Sequence, residues 1–541
     1  MILKKSYLLE IQNLNLTISN SLILNNISFG LKKNEILGIV GESGSGKSIT
    51  AFSILSLINS SKIKRSGKIF FKSIRIDKLS TKELEKIRGK EISIIFQEPM
   101  SSLNPTMKCG KQIEEIVSKH CFLKGPEIKD RVNELLKMVQ LSNDENLYSK
   151  YPFQLSGGQQ QRLMIAIAIA CDPKILIADE PTTSLDSILK HEIIELLKRI
   201  QKQTKMSVIF VSHDLNLVSE FTDKTIVLNK GEVLEFGKSS KIITNPKHAY
   251  TKMLLGSRIP KNNRPHRLPT IENKLKQFAN TSKIERKTKH KHLYKSSPIL
   301  EINKLSFSYL NNKILKSISF NLYKGETLGL VGESGSGKST ISKCILGINQ
   351  NYNGEILYHG LNVKSIDNKN FRKNVQLIFQ DPYSSLNPKM KIGDSIMEPM
   401  IVHNISNKKN RKSKIFKLLE DVGLNKEDFN KYPNQFSGGQ RQRIVIARAL
   451  ALKPKVIVCD ESVSALDVSI QSQIINLLNN LKEKYLITFL FISHDLSVIK
   501  YMTDRLIVLN NGQIEEINET DSIFNDPKKS YTKLLLSSSG F

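Results

Sequence analysis

Gly41-Glu42-Ser43-Gly44-Ser45-Gly46-Lys47-Ser48 returns, residue for residue, as Gly332-Glu333-Ser334-Gly335-Ser336-Gly337-Lys338-Ser339. Both copies fit the spacing Gly, four residues, Gly-Lys, then Ser or Thr, the pattern of a loop that cradles phosphate. Each follows an apolar run, Ile36-Leu37-Gly38-Ile39-Val40 or Thr327-Leu328-Gly329-Leu330-Val331, that reads as a buried strand. Each also opens a helical pattern, at Ile49-Thr50-Ala51 or Thr340-Ile341-Ser342. Glycines let the backbone wrap closely around phosphate oxygens, and the N–H groups at the following helix start favour an anion. Lys47 and Lys338 are expected to reach the β- and γ-phosphates, and Ser48 and Ser339 to ligate magnesium. A Gly/Ser-rich turn with a chance lysine would account for one such stretch, but hardly for two in matching contexts. The chain is expected to hold two nucleoside triphosphates.

The repeat extends well beyond the loop, and a long-period repeat decides the domain count. Phe96-Gln97-Glu98-Pro99-Met100-Ser101-Ser102-Leu103-Asn104-Pro105 returns as Phe379-Gln380-Asp381-Pro382-Tyr383-Ser384-Ser385-Leu386-Asn387-Pro388. Leu155-Ser156-Gly157-Gly158-Gln159 returns as Phe436-Ser437-Gly438-Gly439-Gln440. Asp179-Glu180 returns as Asp460-Glu461, and Ser212-His213-Asp214-Leu215 as Ser493-His494-Asp495-Leu496. The second copy is about ten residues shorter between its phosphate loop and its Ser-Gly-Gly. We expect two homologous domains, at 1–257 and 298–541, joined by a basic linker at 258–297.

A chain of 541 residues is too long for one core. Its 39% hydrophobic and 24% charged content is ordinary for a folded soluble protein. Five scattered cysteines without Cys-x-x-Cys argue against a disulfide framework, a zinc site or an iron–sulfur cluster, and for a reducing compartment. No apolar run approaches a bilayer-spanning length, Leu163–Cys171 being among the longest, and the start does not read as a signal peptide. The net charge of +30 is partly local: twelve Lys/Arg against two Glu lie between Arg258 and Ser297. A solvated connector is the main reading of that segment, and a contact with anionic lipid headgroups or RNA the sharper one.

In chain order, Leu9-Glu10-Ile11 and Ile23–Phe29 suit antiparallel strands, and Gly67–Phe71 another. Thr81–Gly89 reads as a polar helix, Ile92–Phe96 as a short buried strand, and Lys108–Leu141 as an all-helical insertion. Pro152–Cys171 places Ser-Gly-Gly at a helix start. Lys174–Ala178, Val208–Val211 and Thr225–Leu228 read as strands of a parallel sheet, separated by helices at Ser187–Gln203 and Leu215–Phe221. The same order restarts at Ile299.

Hydrolysis of a nucleoside triphosphate needs phosphate-cradling groups, a metal, an oriented water and a sensor of the terminal phosphate. Ile175-Leu176-Ile177-Ala178-Asp179-Glu180 and Val456-Ile457-Val458-Cys459-Asp460-Glu461 are apolar strands ending in two carboxylates. One carboxylate there can hold magnesium while its neighbour polarises the attacking water. Such a strand end alone is a weak signal. Between a phosphate loop and Ser-His-Asp it is a strong one.

The ordered set of phosphate loop, Gln, Ser-Gly-Gly-Gln, Asp-Glu, Leu-Asp and His resembles the ATP-binding cassette of ABC transporters, twice over. That resemblance implies an α/β fold of two tandem P-loop NTPase domains. Each would have a parallel-sheet core, an antiparallel β subdomain and an all-helical insertion. It implies ATP and Mg2+ as cofactors, and an ATPase. Glu180 and Glu461 would be the catalytic glutamates and Asp179 and Asp460 would assist magnesium. Gln97 and Gln380 would sense metal and permease, and His213 and His494 would contact the γ-phosphate. Ser184-Leu185-Asp186 and Ala465-Leu466-Asp467 would join the domains. Ser156-Gly157-Gly158-Gln159 would close over nucleotide on the second loop, and Ser437-Gly438-Gly439-Gln440 over the first, while also capping their helices.

The stretches after the two glutamines resemble those of the dipeptide/oligopeptide/nickel importer subfamily, in which fused ATPases serve peptide, glutathione or microcin-type importers. So do the tails His248-Ala249-Tyr250-Thr251-Lys252 and Lys529-Ser530-Tyr531-Thr532-Lys533. The resemblance implies two integral-membrane permease subunits, a substrate-binding protein, and a peripheral place on the cytoplasmic face of the inner membrane. No specific nucleic acid is expected. Two departures stand out. Tyr309 would stack on adenine, but Ile18 holds the corresponding place in the first half, and Gln160 replaces the arginine found at Arg441. The rival reading, a soluble twin-cassette translation factor on the ribosome, fits the duplication and the charge. It lacks the long helical connector of those factors, and each histidine here precedes Asp-Leu rather than Asp-Arg.

Overall fold

A computed structural model describes residues 7–58, 62–121, 123–141, 146–183, 185–256, 259–260, 264–270, 293–310, 312–464 and 466–541. It divides into two compact units, Met1–Leu185 with Leu189–Gly256, and Asp186–Ile188 with Ser257–Phe541.

The first unit contains two sheets. Leu9–Ile18 is the alternating strand: Leu9 and Ile11 are buried while Glu10 and Gln12 are half-exposed, as a strand with one wet face requires. It pairs antiparallel with Ser21–Leu31 on one side and Ile63–Phe71 on the other, and Ile74–Arg75 completes that sheet. The central strands Ile36–Val40, Ile175–Asp179 and Ser207–Ser212 are buried at every position, so their apolar runs do not alternate. They form a six-stranded sheet in the order Glu232–Lys238, Lys224–Asn229, Ile36–Val40, Ser207–Ser212, Ile175–Asp179, Ile92–Ile95. Every pairing is parallel except that of the edge strand Glu232–Lys238, which runs antiparallel and has no counterpart in the sequence-based expectation. One apolar cluster joins the two sheets: Leu9, Ile27 and Ile69 share it with Leu37, Ile177 and Ile209.

The expected helical insertion is two helices, Cys109–His120 and Pro126–Met138, followed by the signature helix Gly157–Ile169. Cys121 and Cys171, fifty residues apart, end neighbouring helices with their Sγ atoms 2.9 Å apart as free thiols. The second unit repeats both sheets in the same strand order, with Thr327–Val331 in the place of Ile36–Val40 and Val456–Asp460 in the place of Ile175–Asp179.

The start of the basic linker departs from a solvated connector. Leu268 is 1% exposed; its N–H donates to Asn476 Oδ1 at 2.9 Å, and Asn476 Nδ2 donates to its carbonyl at 2.8 Å. Arg264 pairs with Asp521 at 2.9 Å. Apolar Ile259 and Leu268, spaced among the basic residues, give this stretch a side to bury against the second unit. The rest of the linker, 271–292, lies outside the described residues, as do Ser184 and Ala465. Among the described residues no helix is long and apolar enough to cross a membrane.

Candidate functional site

In each unit the loop leaves the central strand and turns into a helix, Lys47–Ile54 or Lys338–Ile345, at a glycine in the left-handed region (Gly46 φ 100°, Gly337 φ 105°). Gly41 is held for a different reason: a Cβ there would sit 2.2 Å from the carbonyl oxygen of Leu228, as one at Gly332 would sit 2.1 Å from that of Leu509. Lys47 Nζ donates to the Gly41 and Glu42 carbonyls at 2.9 and 3.0 Å, and Lys338 Nζ to those of Gly332 and Glu333 at 2.8 and 2.7 Å. Burial pushes the Lys338 ammonium below its ordinary value. Ser45 and Ser336 are buried in the loops with hydroxyls that have no hydrogen-bond partner among the described residues. A buried orphan hydroxyl is costly unless a ligand satisfies it.

Strand pairing brings the carboxylates to the loop. Ser48 Oγ donates to Asp179 Oδ1 at 3.0 Å, and Ser339 Oγ to Asp460 Oδ1 at 3.2 Å. Burial raises Asp179 to about 6 and moves Asp460 in the same direction. Glu180 and Glu461 follow in left-handed backbone (φ 47° and 50°), each N–H donating to the neighbouring strand, at Val211 or Ile492. Such a conformation in a non-glycine residue is sparsely populated and must be held by its surroundings.

Around Glu180 the expected residues converge. Gln97 Nε2 donates to Oε2 at 3.2 Å, Thr183 Oγ1 donates to it at 2.9 Å, and His213 Nδ1 lies 3.1 Å away. Lys47 Nζ is 3.7 Å from Oε1. Burial alone would raise this carboxyl, but His213, Lys47 and Thr183 outweigh it and bring it down to about 2. Glu180 is therefore an ionised acceptor, and His213 must carry its hydrogen on Nδ1. Glu461 is met by Gln380 at 2.7 Å and His494 at 3.4 Å.

The sites differ one layer out. Ser464, in the place of Thr183, donates to the backbone carbonyl of Glu461. Ser342 donates to Asp460 Oδ2 at 3.0 Å, whereas the first half has Ala51 there. Tyr309 ends its strand 46% exposed, edge-on to Phe307, with its hydroxyl accepting from Asn349, while Ile18 packs against the first core. The residue facing Arg441 accounts for the missing arginine. The Arg441 guanidinium lies 3.6 Å from the Tyr383 ring centroid and donates to the Pro433 carbonyl. In the first half Met100 replaces the tyrosine, and Gln160 donates to the Pro152 carbonyl instead.

Ser156 and Ser437 cap their helices, accepting from the N–H of Gln159 and Gln440, whose side chains accept from the cap residues in return. They lie on signature helices, not in the loop sites of their own units. A Cβ at Gly157 or Gly438 would meet nothing within 4 Å, so packing within the unit does not account for glycine there.

The family model for the ABC transporter matches residues 24–183 and 315–464. The chain belongs to the ABC transporter family. A model for the C-terminal region of oligopeptide/dipeptide transporters matches 234–286 of this ABC protein. The glutathione import ATP-binding protein GsiA of Shigella boydii serotype 4 is 40% identical over 98% of the chain and 89% of its own length. GsiA of Escherichia coli K12 gives the same figures. The ATP-binding cassette MJ0796, bound to ADP and Pi, is 32% identical over 43% of the chain and 98% of its own, with a TM-score of 0.38. The chain is thus an ATP-hydrolysing subunit with two ABC cassettes, of the oligopeptide/dipeptide transporter type. The ribosomal alternative is not favoured.

Two residues that reach the loop escaped sequence reasoning as site residues. The Tyr250 hydroxyl accepts the Glu42 N–H at 3.3 Å, and that of Tyr531 accepts the Glu333 N–H at 3.2 Å. Their recurrence at matching places in the repeat was the available signal.

Proposed function

We propose that this ABC protein drives the import of peptides or peptide-like thiols of the glutathione class through separate permease subunits fed by a substrate-binding protein. It would act peripherally at the cytoplasmic face of the inner membrane. The observation that carries this reading is the 40% identity to glutathione import ATP-binding proteins, sustained over 98% of the chain.

Mg2+ fits the oxygen donors present. A hydroxyl, a buried carboxylate and an amide oxygen suit a hard cation that keeps waters and nucleotide phosphates as its other ligands. Ser48, Asp179 and Gln97 would hold it in the first cassette, and Ser339, Asp460 and Gln380 in the second; the ion would neutralise charge on the phosphates. Glu180 and Glu461 orient and polarise the attacking water. In the structure, Lys47 and His213 keep Glu180 a weak base. Phosphates entering the loop compete for both cations, and losing them raises the carboxylate's affinity for a proton. ATP thereby brings the base into use when there is something to hydrolyse.

The test is recovery of the tagged protein from a lysate, with co-purifying proteins identified by mass spectrometry. Membrane fractions with two polytopic proteins are expected, and their binding protein identifies the cargo. Sedimentation with ribosomes and no permease would overturn the reading.

A further inference from the structure

Each phosphate loop is braced from two sides, by the turn of the last hairpin of its cassette and by the tail that follows it. In the first cassette the strands Lys224–Asn229 and Glu232–Lys238 form a hairpin whose turn residue Gly231 donates its N–H to the Ser45 carbonyl at 3.0 Å. The edge strand then supplies Glu235, whose carboxylate accepts the Lys247 and His248 N–H groups at 2.9 and 3.1 Å and so anchors the start of the tail helix Ala249–Gly256. From that helix Tyr250, 5% exposed, returns to the loop and accepts the Glu42 N–H. The second cassette builds the same brace from other residues. Gly512 donates to the Ser336 carbonyl at 3.1 Å, Glu516 accepts from Lys528 and Lys529, and Tyr531 on the helix Ser530–Ser538 accepts the Glu333 N–H. Burial raises the Tyr531 hydroxyl to about 12, so it stays a neutral phenol at physiological pH.

The position of the bonded amide gives this contact its meaning. Glu42 and Glu333 are the second residues of the eight-residue loops, directly after the glycine that leaves the strand. The phenol fixes the peptide at the loop entrance, upstream of the amides and the lysine that cradle phosphate. An amide pinned there limits the conformations the empty loop samples, and a loop already shaped for phosphate binds it with less ordering cost. We propose that Tyr250 and Tyr531 are positioning residues for ATP, through which the C-terminal region of each cassette sets nucleotide affinity. This rests on reading the two loops as ATP sites. Neither tyrosine is placed on the reacting phosphate, so the effect belongs in binding and not in the chemical step.

The experiment compares Tyr250→Phe, Tyr531→Phe and the double variant with the full-length wild type, using a fluorescent ATP analogue for binding and phosphate release for turnover. Phenylalanine keeps the buried ring and removes the hydroxyl that accepts the loop N–H. The double variant is expected to raise KM and Kd for ATP about three- to tenfold, the range set by one lost hydrogen bond, with kcat within twofold. Hydrogen exchange of the 41–48 and 332–339 amides should quicken without nucleotide and return to the wild-type rate with saturating ATP. Unchanged KM and unchanged exchange would overturn the proposal, as would a fall in kcat at constant KM. Lys47→Ala with Lys338→Ala separates the two readings. If that variant still binds the analogue, the ATP-site assignment fails. If it loses binding while the tyrosine variants behave as wild type, only the role of the tail fails.

Discussion

Asp179 is the group on which metal-free stability should turn. It is 1% exposed, accepts one hydroxyl from Ser48, and sits beside the Glu180 carboxylate, and burial raises it from 3.8 to about 6. At 1.36 kcal/mol per pH unit, keeping it ionised in the fold costs about 3 kcal/mol. The sign follows from which state releases its proton first. Below pH 3.8 the carboxyl is protonated folded or unfolded and contributes nothing. Between 3.8 and about 6 the unfolded chain ionises first and the fold loses ground; above 6 the full cost applies. Asp179→Asn keeps an oxygen for Ser48 and removes the charge. In EDTA the variant should therefore melt higher than wild type at pH 7.5, by roughly 5–10 °C for a cassette of this size, and alike at pH 4. Unfolding of a two-cassette chain need not be two-state, so melting midpoints at each pH are compared, not extrapolated free energies. Glu180 works in a separate window, contributing stability above 4.5 that is lost toward about 2. A variant no more stable at pH 7.5, or equally stabilised at pH 4, would refute the reasoning. Magnesium and ATP together should raise the wild type's midpoint more than the variant's, because the ion relieves the same buried charge.

Glu180→Gln and Glu461→Gln should each lower the phosphate-release rate while still binding nucleotide, and together lower it about 10²-fold or more. Full turnover in either single variant would show that its site does not hydrolyse. Ser342→Ala removes the second hydroxyl on Asp460 and should raise the Mg2+ concentration for half-maximal turnover about tenfold at the second site, whereas Ala51→Ser should lower it at the first. Titration of each variant in the background of the opposite Glu→Gln reads the sites singly. Mild oxidation with diamide should join Cys121 to Cys171, seen as a linked peptide pair by mass spectrometry and absent from Cys121→Ser. An oxidised protein in which both remain alkylatable would contradict the 2.9 Å approach.

The parts of the fold legible in the sequence are those that impose a demand on every residue. Ile36–Val40 and residues 175–178 are buried on both faces, so each position must be apolar, and the phosphate loop needs glycine where no Cβ fits. Glu232–Lys238 makes no such demand. As an edge strand it is mostly half-exposed, and Glu-Val-Leu-Glu-Phe-Gly-Lys carries no clean alternation. The thiol pair was invisible for another reason: fifty residues and two helix ends separate Cys121 from Cys171, and only the packing of the helical insertion on the signature helix brings them together. Tyr250 and Tyr531 were visible as a repeated tail, but a hydroxyl that accepts a backbone N–H leaves no pattern of its own in composition or periodicity.

What the duplication preserves and what it changes follow different rules. The groups that would touch phosphate, metal or water are the same in both cassettes: the whole loop, the glutamine, the Asp-Glu pair and the histidine. The groups that hold them are not. Asp179 has one hydroxyl and Asp460 two; Glu180 has Thr183 on its carboxylate, whereas Ser464 bonds the backbone of Glu461. A supporting hydroxyl on a carboxylate stabilises its ionised form, which favours a cation on Asp460 and disfavours proton uptake by Glu180. The second cassette should therefore fill with metal at a lower Mg2+ concentration than the first, and nucleotide bound together with the ion should follow the same order.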